Sequence, residues 1–146
     1  MPASLRQTLQ ERHHLPVVDE TTVEDFLKAA PAHGALFFAG DPNERSETRD
    51  LAVIFPQLLE AFAGRLRGAL VATDAEPALK GLFHVRVLPS LVVLRGSEIL
   101  GVLPKVYDWA DYVARLEAML RPGAPTLVAK SGARAEIVFS SREAAP

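Results

Sequence analysis

Sulfur chemistry is absent from this chain, because its 146 residues include no cysteine. Disulfides, thiolate metal sites and thiol nucleophiles are excluded together, since each needs sulfur as the reacting or ligating atom. The other groups able to hold a metal or move a proton near neutral pH are four histidines, His13, His14, His33 and His84. Only His13 and His14 are neighbours, and adjacent residues on a helix point apart. No carboxylate and histidine spacing of the metalloprotease kind accompanies them, so the pair reads as a surface or helix-end feature and no metal is assigned. No nucleophile and base pair, glycine-rich phosphate loop or paired acids on a defined scaffold can be picked out, which argues against an enzyme using other chemistry.

Charge gathers in one place. Asp41, Glu44, Glu47 and Asp50 lie close together, partly offset by Arg45 and Arg49. Acids at a helix start are favoured by the macrodipole and by capping. The same carboxylates can also accept planar, charge-assisted hydrogen bonds from arginine, so a partner-facing role stays open beside the local one. Trp109, Tyr107, Tyr112 and Met119 suggest an apolar surface, but Trp109, Tyr112 and Met119 fall on the periodic face of a helix and read as core. Tyr107 is left as the aromatic expected to be exposed.

The chain is long enough to bury a core without covalent staples. A composition 49% hydrophobic and 23% charged, with both signs mixed, places it among ordered proteins. A formal net charge of −2 gives no electrostatic case for a nucleic-acid partner. The start shows no apolar stretch of signal-peptide length and no later run approaches a membrane span, so a cytoplasmic protein without direct membrane insertion is expected.

The elements that must position these residues alternate. Leu5 and Leu9 are spaced for a short helix, and Leu15, Pro16, Val17 and Val18 read as a brief edge strand. Thr22 is expected to cap a helix carrying Val23, Phe26, Leu27 and Ala30, closed by Pro31 and Gly34. The apolar run over residues 35–39 predicts a central strand covered on both faces. A polar loop over 41–46 leads to a long helix with Leu51, Ile54, Phe55, Leu58, Leu59 and Phe62 at helical spacing, kinked at Pro56. Residues 69–72 predict a buried strand, and Asp74 a cap for a short helix with Ala78, Leu79, Leu82 and Phe83. Residues 91–94 and 99–103 form a hairpin around a turn containing Gly96. Asp108 is expected to cap a last helix that stops at Pro122 and Gly123. Residues 126–129 and 135–139 are weak strand candidates beyond it. The division expected is one domain over residues 1–121, with 122–146 an extension forming extra strands or a tail. The fold class is α/β, a central mixed sheet flanked by helices on both faces.

Residues 85–101 carry the most information. An apolar residue and a proline stand ahead of a strand, followed by a tight glycine turn and a second strand with glycine; Leu88, Pro89, Gly96 and Gly101 fill these places in turn. The stretch resembles the thioredoxin signature, and with the element order the resemblance covers about residues 17–120. It implies a cis Leu88-Pro89 bond, and the tertiary amide lowers the cis penalty to roughly 0.5–1 kcal/mol. In thioredoxins two cysteines open the helix after the first central strand; residues 40–48 hold that place here without them. Two-electron exchange needs two sulfurs, so disulfide reductase and isomerase functions are excluded for this chain.

Among cysteine-free thioredoxin-like proteins the chain resembles the HupG/HyaE hydrogenase expression proteins, through its size, the Leu88-Pro89 segment and residues 101–109, which run from Gly101, Val102 and Leu103 to Asp108 and Trp109. The resemblance implies a non-catalytic maturation chaperone without cofactor. It would engage the small subunit of a nickel-iron hydrogenase, or its twin-arginine signal peptide, before export. Other hydrogenase accessory proteins and a second copy are further partners it allows. The implied contact residues are Leu88 and Pro89, whose backbone lets an extended peptide add as a strand, with Asp41, Glu44 and Glu47 facing the arginines. The same turn also has a purely architectural role in starting its strand. The alternative is a redox-inactive structural or assembly subunit of another complex, using an edge strand or the tail.

Overall fold

The computed structural model describes residues 5–29, 33–41 and 46–127. Its elements in chain order are α1 (Leu5–Glu11), β1 (Val17–Val18), α2 (Val23–Ala29), β2 (His33–Phe38), α3 (Ser46–Ala61), β3 (Leu66–Val71), a 3-10 turn (Thr73–Ala75), α4 (Glu76–Leu82), β4 (Ser90–Arg95), β5 (Glu98–Pro104) and α5 (Trp109–Met119). The strands form one five-stranded sheet in the order β1-β3-β2-β4-β5. β1, β3 and β2 run parallel, whereas β4 and β5 are antiparallel additions. This is the thioredoxin-like α/β fold expected from the sequence.

Strand alternation divides the interior into two cores, because successive side chains point to opposite faces. Phe37, Leu70, Leu91 and Val93 face Leu51, Phe55 and Leu58 of α3 and Tyr112 and Leu116 of α5, with Leu9 of α1 closing that side. Leu36, Phe38, Val71, Val92 and Leu94 face Phe26 and Leu27 of α2 and Leu79 of α4. The central strands carry apolar residues on both faces because helices cover both.

Two glycines permit the close approach of helix to sheet. A Cβ at Gly68 would lie 2.5 Å from Leu59 and 2.7 Å from Phe55, and one at Gly101 would lie 2.6 Å from Met119. Gly101 therefore matches the signature for a packing reason, and β5 runs past it to Pro104. α3 continues through Pro56 as a single helix.

The helix starts differ from expectation. Asp19, not Thr22, caps α2: its carboxylate accepts the N–H groups of Thr21 and Thr22 at 2.9 and 3.1 Å, while Thr22 Oγ1 accepts the Asp19 N–H at 2.9 Å. This reciprocal arrangement satisfies donors on both sides of the turn, and these bonds hold the Asp19 carboxyl below its ordinary pKa. Asp74 lies inside the 3-10 turn and makes no capping bond, because that turn delivers the chain into α4 already curled. Asp108 occupies the cap position of α5, yet its side chain makes no capping hydrogen bond.

After α5, Ala124 packs into the first core. Leu127 then donates its N–H to Ile99 at 2.7 Å, forming an antiparallel bridge on the outer edge of β5. The second strand candidate, residues 135–139, lies outside the described residues. Among the described residues no helix is long and apolar enough to cross a membrane.

Candidate functional site at the cysteine-free sheet end

β2 ends where β4 begins, because the two strands are antiparallel with Phe38 paired to Ser90. The residues following Phe38 and those preceding Ser90 therefore share one end of the sheet. That end receives Gly40, Asp41 and the start of α3 from one side, and Leu88 and Pro89 from the other.

The Leu88-Pro89 peptide bond is cis. Ser90 Oγ donates to the Val87 carbonyl at 2.7 Å, and the Lys105 N–H donates to the Pro89 carbonyl at 2.8 Å, so the turn is held from both flanks. Pro89 is buried and Leu88 half-buried, its side chain packed against the second core. The Leu88 side chain thus serves the architecture. Its N–H and C=O have no backbone partner among the described residues, and they are the groups an added strand would use.

Across from this turn, Thr48 Oγ1 donates to the Ala39 carbonyl at 2.6 Å and ties the first turn of α3 to the end of β2. Asp41 is exposed and Glu47 half-buried in that first turn. Glu44 lies outside the described residues. The fold therefore places Asp41, Glu47, Leu88 and Pro89 at one sheet end.

Beneath the loop sits a polar network that sequence reasoning missed. Glu76 is only 5% exposed at the start of α4. Its Oε2 accepts the Gly40 N–H at 3.1 Å and a guanidinium N–H of Arg6 at 3.2 Å. Arg6 also donates to the Val71 carbonyl at 2.7 Å, so one α1 side chain joins the end of β3, α4 and the loop. Burial of the carboxylate is tolerable because a cation and an amide donor meet it there. The sequence carries no local sign of the pairing, since 70 positions separate Arg6 from Glu76.

The remaining candidates disperse. His13 and His14 are exposed just after α1, where His14 adopts φ 55°. His33 Nδ1 and His84 Nε2 are buried without hydrogen-bond partners. Burial pushes the His33 pKa down, and the charges of Arg95 and Arg65 act in the same direction against a weaker backbone hydrogen bond at Arg65. Among the described residues no group of three or more His, Asp or Glu could hold a metal ion. The aromatic assignment is corrected in two places. Trp109, expected in the core, is 44% exposed at the first position of α5, and Tyr107, expected on the surface, is half-buried. Tyr107 folds from the preceding turn onto Tyr112, with ring centroids 5.3 Å apart, and the Arg115 guanidinium lies 4.7 Å above its ring. Helical periodicity cannot register a contact made from outside the helix. Tyr112 and Met119 do pack with the core.

Fold and site together define a thioredoxin-like domain whose redox position carries no thiol. The model of Hydrogenase-1 expression protein HyaE matches residues 5–112. The hydrogenase expression/formation protein HupG of Rhizobium leguminosarum bv. viciae is 47% identical over 99% of both chains. HoxO of Azotobacter vinelandii is 39% identical over 80% of this chain and 82% of its own. A crystal structure described as hupG from Rhodopseudomonas palustris is 46% identical, covers 72% of this chain and 94% of that one, and superposes with a TM-score of 0.53. The chain belongs to the HupG/HyaE family of hydrogenase expression/formation proteins.

Proposed function

We propose that this protein acts in hydrogenase maturation as a non-catalytic chaperone in the cytoplasm, holding the small subunit of a nickel-iron hydrogenase or its twin-arginine signal peptide before export. The observation that carries the reading is the sheet end itself. It keeps the cis-proline turn and the unpaired Leu88 backbone, and it presents Asp41 and Glu47 where thioredoxins keep their thiols. The family's expression/formation role supplies the hydrogenase context.

An extended segment laid beside Leu88 gains main-chain hydrogen bonds without requiring a particular sequence. Arginines in that segment meet carboxylates from Asp41, Glu44 and Glu47, which set register and steer the encounter. Exposed ion pairs of this kind contribute only about 0.2–1 kcal/mol each. Binding then stays weak enough for release, with Kd near the micromolar range, about −8 kcal/mol.

Reversing Asp41, Glu44 and Glu47 to lysine together is expected to weaken binding of a synthetic twin-arginine peptide at least ~10-fold at low salt, a loss of about 1.4 kcal/mol. The salt dependence should fall with it. Unchanged affinity and salt dependence would remove the acidic loop from the site. A pull-down from cells making a nickel-iron hydrogenase tests the partner directly. Recovery of the immature small subunit supports the reading, and a stable complex free of hydrogenase proteins overturns it.

A further inference from the structure

On the other face of the sheet, away from the α3 and α5 helices, α2 and α4 stand apart around an open groove of about 510 Å³. Val23, Leu27, Leu79, Phe83 and Ile99 form its apolar lining, with Glu20 and Glu24 also present. Leu82, also in the lining, is 61% exposed. An uncovered leucine over such a trough costs hydrophobic free energy, at roughly 25 cal/mol per Å² of apolar surface left in water.

The course of the chain indicates what covers it. Leu127 pairs antiparallel with Ile99, itself a lining residue, and packs against the second core. Antiparallel pairing directs the chain beyond Leu127 toward Glu98 and Ser97, and Ser97 also lines the groove. The sequence then continues through residues 128–134 to the apolar run at 135–139, which includes Ile137, Val138 and Phe139. The connection can span up to about 23 Å at ~3.3 Å per residue, ample for a site that begins beside Leu127. Arg134 and Arg142 flank the apolar run and complement Glu20 and Glu24.

We infer that residues 135–139 of the same chain dock into the α2/α4 groove, covering Leu82, with Arg134 and Arg142 toward the two glutamates. The groove is thereby an intramolecular docking surface, separate from the Leu88-Pro89 end of the sheet.

The cysteine-free background allows a direct test in the full chain. Leu82→Cys combined with Phe139→Cys is oxidised mildly and compared with Val53→Cys combined with Phe139→Cys, Val53 being 61% exposed on α3. Docking predicts a monomeric disulfide that forms at least ~10-fold faster in the first pair. As a second readout on the unmodified chain, Phe139→Asp should raise the fluorescence of a hydrophobic dye, and Leu82→Asp should abolish that rise. Equal rates for the two pairs overturn the inference. A disulfide-linked dimer from the first pair also overturns it, making the occupant a second copy. An unchanged dye signal in Phe139→Asp counts against docking independently of the cysteines.

Discussion

Replacing Arg6 with methionine removes both donors of the network beneath the loop while keeping an unbranched apolar stem of similar reach. The lost bonds are those to the Val71 carbonyl at 2.7 Å and the Glu76 carboxylate at 3.2 Å. Removing one partner of a buried ion pair costs about 3–5 kcal/mol when the remaining charge has nowhere to go. Here the Glu76 side chain is 7% exposed but that of Arg6 is 23% exposed, so solvent moderates the loss. Glu76 also keeps the Gly40 N–H. Arg6→Met is therefore expected to cost about 2–3 kcal/mol in urea unfolding. A chain of this size loses ~3 °C in Tm per kcal/mol, giving a fall of about 6–9 °C. Adding Glu76→Gln to Arg6→Met should restore part of this, because a neutral amide oxygen still accepts from Gly40 without burying an unpaired charge. Since Gly40 precedes Asp41, peptide affinity should fall and recover in parallel. A cost below about 0.5 kcal/mol, or a double variant no more stable than Arg6→Met, would refute the assignment of Glu76 as a buried carboxylate held by Arg6.

Gly68→Ala should destabilise by about 1–3 kcal/mol, since its Cβ meets the core-locked Phe55 ring, whereas Gly101→Ala should cost less because the end of Met119 can swing away. Equal losses in denaturant would contradict this. His33 has its pKa lowered in the folded state, so the unfolded chain binds more protons below the ordinary value of 6.5. Stability present above that value is lost as pH falls through the folded pKa. His33→Phe should flatten the stability profile between about pH 7 and 5; an unaltered slope would show that His33 titrates alike in both states. Burial raises the Tyr112 pKa above 10.0, so the hydroxyl contributes stability that is lost as pH rises past that value. Tyr112→Phe should lose about 0.5–1 kcal/mol at neutral pH, through the 3.3 Å bond to Lys105, and resist alkaline unfolding better.

Much of the architecture was legible in linear order because it rests on local rules. Apolar runs bounded by glycine marked the central strands, 3.6-residue periodicity marked α3 and α5, and the flanks of Pro89 identified the cis turn. The caps were misread for a local reason as well: Asp19 and Thr22 are both good capping residues three positions apart, and only the hydrogen bonds decide which one leads. Asp74 sits in a 3-10 turn that periodicity does not resolve. Trp109 was assigned to the core by the stripe of its helix, and Tyr107 to the surface because it stands outside any periodic element. The ring contact between Tyr107 and Tyr112 reverses that order.

Sequence alone determined that this protein carries no thiol chemistry, since a missing atom type needs no coordinates, and it placed the acidic loop and Leu88-Pro89 on the expected scaffold through patterns spanning only a few residues. Tertiary structure decided how they meet. The pairing of Phe38 with Ser90 brings the loop and the turn to one sheet end. The Arg6, Glu76 and Gly40 contacts supply the support beneath, and the antiparallel bridge at Leu127 points the chain toward the α2/α4 groove. Each of these joins residues far apart in the chain, through contacts that exist only once the sheet has set its register.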